Sequence, residues 1–130
     1  MKKFALVLLV SCCLYLIGCS KDAEINSFIA EFDATTGEIV QKIDASPNAA
    51  GVDEAQKTFN AKKTALKAKW DAIKTVSSSQ MSSNAQAKLK KSSEDNMQTL
   101  MELSSKKSLD KDAGAKMDAL IKDLQSTFSR

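Results

Sequence analysis

From Ile25 to Phe128 the large apolar residues of this chain return every three or four positions, in four separate runs, which is the period of an α-helix. Pro47 is the only proline, and no stretch alternates apolar with polar residues as a half-buried strand would. An all-α protein is expected.

The first run carries Ile25, Phe28, Ile29, Phe32, Thr36, Ile39, Val40 and Ile43 on one stripe. Asp44-Ala45-Ser46-Pro47-Asn48 ends it, since the residue before proline disfavours the helical conformation and Ser or Asn caps the next helix. A second helix from about Val52 to Val76 places Val52, Ala55, Phe59, Leu66, Trp70 and Ile73 on one face. The polar stretch Ser77–Ser83 reads as a connection. The third run shares a face among Ala85, Leu89, Ser92, Asn96, Leu100 and Leu103, with Met97 and Met101 to one side. After a second polar break, Ser104–Leu109, either Ser108 or Asp110 is the N-cap of a fourth stripe: Ala113, Met117, Leu120, Ile121, Leu124 and Phe128. Four amphipathic helices with short breaks suit an antiparallel up-down-up-down four-helix bundle. The alternative is a three-helix bundle in which the last two runs form one long bent helix.

Charge sorts the helices. Residues 20–44 carry two Lys against six acids, whereas residues 52–76 carry six Lys against three. Opposite balances on helices joined by a short turn argue that they pack as an antiparallel pair. Glu24, Glu31 and Glu38 stand seven apart along the first helix, a neighbour-facing or solvated flank rather than the convergent oxygens a cation needs. The basic flanks of the second helix are Lys62, Lys63, Lys67, Lys69 and Lys74. They form a candidate strip for anionic envelope polymers. Nucleic acid is not expected, because aromatic residues do not interleave with the lysines.

Ahead of the helices, Lys2 and Lys3 precede an apolar run from Phe4 to Ile17, closed by Leu16-Ile17-Gly18-Cys19. A membrane-spanning helix needs about 20 apolar residues, more than this run offers. The pattern resembles the signal peptide of a bacterial lipoprotein, with its lipobox of Leu, two small or apolar residues, and Cys. In that family the thiol matching Cys19 receives a diacylglyceryl group, the bond after Gly18 is cut, and the freed amine is often acylated. The resemblance implies a signal peptide over 1–18, a lipidated N-terminus and short tether over 19–24, and a helical bundle domain over 25–130. It also implies export and attachment to a membrane through the lipid on Cys19. In a Gram-negative cell Ser20 after the cysteine looks like an outer-membrane sorting signal, facing the periplasm; otherwise the site is the outer face of the plasma membrane. Cys12 and Cys13 leave with the signal, so the mature domain has no disulfide available.

Several chemistries are excluded. The chain has no His, which removes the commonest general base and the usual zinc or haem ligand. Its four Gly form no phosphate loop and no Gly-x-Ser-x-Gly elbow is present. Asp110-Lys111-Asp112-Ala113-Gly114 begins like a calcium loop but lacks the remaining ligands. No catalytic activity, metal or cofactor is expected. The expected role is that of a lipid-anchored cell-envelope protein, structural or protein-interacting, with an envelope protein as partner. One alternative is a module for a small ligand or lipid, walled by Trp70, Met97 and Met101, with Asn96 either lining a polar groove or setting helix register. The other is the anionic-polymer binder described above.

Overall fold

The computed structural model describes residues 20–77, 79–105 and 109–129. The expectations about Gly18 and Cys19 lie outside them. The described residues form four helices: α1 (Asp22–Ala45), α2 (Ala49–Ile73), α3 (Ser83–Ser105) and α4 (Lys111–Thr127). They build an all-α four-helix bundle.

Local sequence sets the helix ends. Asn48 is the N-cap of α2, its side-chain oxygen accepting the N–H of Gly51 at 3.1 Å. Asp110, rather than Ser108, caps α4 by accepting from Ala113 at 2.8 Å, and Ser82 accepts from Ala85 at 3.1 Å at the start of α3. Gly51 is required where it stands: a Cβ there would lie 1.7 Å from the Ser46 carbonyl oxygen, because the α1–α2 turn folds back onto the first turn of α2. The break between Ser105 and Lys111 separates α3 from an antiparallel α4, so the chain does not adopt the three-helix alternative with one bent last helix. α1 already begins at Asp22, so residues 22–24, read from the sequence as tether, belong to the bundle.

Side-chain pairs fix the packing. Glu31 and Glu38 of α1 meet Lys69 and Lys62 of α2, the antiparallel pairing that opposite charge predicted. Ser104 bonds Asp118, and Gln125 donates to Met97 Sδ, so α3 and α4 are antiparallel too. The bundle closes by α1 packing on α3 and α2 on α4, which leaves α1 diagonal to α4 and α2 diagonal to α3. These closing pairs are parallel: Asp33 meets Ser92 and Asn96, while Asp53 and Lys63 of α2 meet Lys116 and Asp123 of α4. Consecutive helices therefore alternate in direction, but the α2–α3 connection crosses the diagonal of the square.

The core is aliphatic and aromatic by turns. Ile25, Ile39, Phe59, Leu66, Leu100, Met117 and Leu120 are wholly buried. Thr35 and Thr36 are buried among them; Thr35 donates to the Glu31 carbonyl, whereas Thr36 Oγ1 has no hydrogen-bond partner among the described residues.

Candidate functional site

α4 spans 17 residues against 23 for α3, a difference of about 9 Å of helix. With Ser104 opposite Asp118 and Met97 opposite Gln125, Phe128 stands level with Glu94. Residues 83–93 of α3 consequently have no helical turn of α4 beside them. The fourth corner of the bundle is built there from rings instead of a helix.

Phe128, immediately after α4, packs edge-on against Phe28 and Phe32 with centroids 5.6 and 5.1 Å away. Trp70 lies 5.5 Å from Phe28 and 6.3 Å from Phe128, its indole N–H donating to the Ser129 carbonyl at 3.4 Å. Edge-to-face ring pairs of this kind contribute about 0.5–1.5 kcal/mol each beyond simple burial. Between these rings and α3 a cleft of about 680 Å³ opens. Leu89 and Met97 form its α3 wall, Val76 and Met81 of the α2–α3 connection close one end, and Lys90, Glu94 and Gln125 stand at the rim. Its size falls within the usual 300–1,000 Å³ range for small-molecule sites.

The candidate wall residues are distributed as follows. Trp70 and Met97 line this one cleft. Met101 is 55 % exposed and lies further along α3 on a shallow surface that continues from the cleft through Ser93, Glu94 and Met97. Asn96 points the other way. Its amide donates to Asp33 Oδ1 at 2.6 Å and to Ser92 Oγ at 3.1 Å, and Ser92 donates to the same Asp33 oxygen. The two polar residues in the α3 stripe thus bridge α1 to α3 and fix their register. Neither lines the cleft described above.

The five lysines of the candidate strip each meet a carboxylate. Lys62 and Lys69 tie α2 to α1, and Lys63 ties it to Asp123 of α4 while lying 5.7 Å from the Phe59 ring centroid. Lys67 and Lys74 share Asp71 on their own helix. The hydrogen bond from Lys67, and then that from Lys74, hold the Asp71 carboxyl below the usual carboxylate range. Three of the five therefore tie α2 to its neighbours, while Lys67 and Lys74 make only the local pairs with Asp71. Among the described residues no group of three or more acids, Cys or His is placed to hold a metal.

One feature of the cleft has no signal in the sequence. The backbone N–H of Lys21 donates to the Gln80 carbonyl at 3.0 Å, and Asp22 Oδ1 accepts the Ser82 N–H at 2.8 Å. Hydrogen bonds from Ser82 are the main reason that the Asp22 carboxyl lies below its ordinary range. The start of α1 is thereby latched to the connection that closes the cleft. Only the tertiary fold brings these two segments together. No helix among the described residues is long and apolar enough to cross a membrane. No protein-family model, curated protein or solved structure matches this chain.

Proposed function

We propose that this chain is a lipid-anchored protein of the cell envelope with a binding role and no catalytic one, and that it binds through the aromatic cleft. The anchor rests on the basic start, short apolar run and Leu16-Ile17-Gly18-Cys19 box. Each buried methylene contributes about 0.8 kcal/mol, so the two or three chains of a lipoprotein hold it where one would not. The binding role rests on one observation: at the corner where α4 stops, apolar walls and rings surround an open space instead of closing on one another. The lack of any His, and of a nucleophile motif, leaves no evident machinery for turnover.

Intact-mass analysis of the membrane-fraction protein tests the anchor. A species starting at Cys19 with added acyl mass, absent from Cys19→Ala, is expected; a chain retaining Met1 without added mass defeats it. For the cleft, Leu89→Glu places a charge on the wall. It should abolish uptake of an uncharged fluorescent apolar probe while helicity is kept, and undiminished uptake would remove the cleft from consideration.

A further inference from the structure

We propose that the end of the bundle where α1 begins docks on the surface of an anionic phospholipid bilayer, chiefly through Lys88, Lys90 and Lys91 of α3. The contact is separate from the cleft and rests on the Cys19 anchor proposed above.

Charge is divided along the bundle axis. The parts of α1, α2 and α3 nearest this end, residues 20–30, 67–77 and 79–91, carry seven Lys against three acids. The stretches that reach the opposite end, 36–57 and 97–118, carry six Lys against eight acids. A molecule charged in this way turns its basic end toward a negative surface.

The three acids of the basic end are engaged within it. Asp22 accepts from the Ser82 and Ser20 side of the latch, Glu24 meets Lys21, and Asp71 is shared by Lys67 and Lys74. On α3 the balance is different, because residues 83–93 contain three Lys and no acid. The carboxylates that Lys90 and Lys91 meet, Glu94 and Asp95, lie one turn further from the end. Both lysine side chains are about three-quarters exposed. Exposed pairs of this kind are weak, so the ammonium groups exchange them readily for lipid phosphates.

Position selects the bilayer as the partner. The Lys21–Gln80 hydrogen bond ties the start of α1 to the α2–α3 connection at this end. Cys19 is two residues before Lys21, at most about 7 Å of chain. Lys88 stands five residues into α3, about 8 Å from its start. Both lengths match the Debye length of about 8–10 Å at physiological salt, so a lipid on Cys19 holds these lysines inside the field of a charged membrane. An acidic protein gains no such proximity from the anchor.

With Cys12 and Cys13 gone and Cys19 lipidated, a single added thiol carries a fluorophore at a chosen end. Asn84→Cys labels the basic end and Ala50→Cys the opposite one; both positions are exposed. The acylated protein is reconstituted in vesicles of phosphatidylcholine, with or without phosphatidylglycerol, that bear a nitroxide quencher on some headgroups. The docked-to-free ratio read at position 84 is expected to be about tenfold higher on the anionic vesicles, and position 50 to stay bright on both. High salt, or Lys88→Gln/Lys90→Gln/Lys91→Gln, should bring position 84 down to its level on neutral vesicles. Equal quenching on the two vesicles, in protein whose mass confirms acylation, overturns the docking and leaves the anchor standing. So does quenching undiminished in the triple variant, or equal at positions 84 and 50. A chain without added acyl mass that washes off neutral vesicles defeats the anchor, and the docking with it.

Discussion

At the end of the bundle that carries the Ser46–Asn48 turn, four helices run side by side and Ile39, Ile43, Val52, Phe59, Leu103 and Met117 are almost wholly buried. At the other end α4 has stopped, and Phe28, Phe32, Trp70 and Phe128 cover with four rings what a further helical stripe would otherwise cover. Aliphatic side chains need partners on every side to be buried, whereas one ring shields a large area from a single backbone position. The first arrangement leaves no space. The second leaves a cleft, because rings meeting edge to face around a missing helical turn do not fill the corner completely.

The contrast can be broken most severely at Phe59, which is wholly buried near the filled end. Phe59→Ala should cost about 4 kcal/mol of unfolding free energy in denaturant titration, from lost burial and the cavity left behind. Phe128→Ala, half-buried over the cleft, should cost less than half as much and raise the accessibility of Trp70 to an aqueous quencher. Equal costs would mean that the two ends are packed alike. Next in size is Gly51→Ala, expected to destabilise by about 2–3 kcal/mol because its Cβ would collide with the Ser46 carbonyl in the turn that seals the filled end. Between the ends, Thr36→Val should stabilise by about 1 kcal/mol, since it removes a buried hydroxyl that has no partner among the described residues and keeps the shape. The smallest effect belongs to the latch at the cleft end. The folded-state pKa of Asp22 is depressed, so its contribution is present above the ordinary carboxylate pKa and is lost as pH falls below that value through the depressed one. The Ser82 amide resonance should track that titration and stop doing so in Asp22→Asn.

Much of this fold is legible from period and caps alone. The stripes of α1, α2 and α4 are buried largely as spaced, and Pro47, Asn48 and Asp110 mark helix ends through local chemistry that needs no tertiary partner. The charge contrast between α1 and α2 announces their pairing through Glu31 and Glu38. Other features depend on which helices become neighbours, and period does not encode that. Asn96 has the same spacing whether it lines a groove or bridges to Asp33; only the parallel contact of α1 with α3 decides between them. Similarly, Trp70 and Met97 lie on helices with no direct packing between them. They share a cleft because α4 is short and Phe128 occupies its corner. The lysines of α2 are visible in the sequence as a strip, but the pairing of Lys63 with Asp123 of α4 is not.

The diagonal α2–α3 connection has a consequence for how the chain reaches this state. In a bundle whose neighbours are all consecutive in sequence, most contacts are local and folding is fast. Here only the α1/α2 and α3/α4 hairpins form that way. Their docking brings together residues such as Asp33 with Asn96 and Gln56 with Asp123, separated by 63 and 67 positions. The expected rate-limiting event is the meeting of two preformed hairpins, with the shared Asp33 oxygen as the point at which a misaligned encounter is rejected. Slippage of one helical turn there would carry Ser92 and Asn96 past their acceptor together. Substitutions within either hairpin should then alter mainly the unfolding rate, while those along the α1/α3 seam slow folding itself.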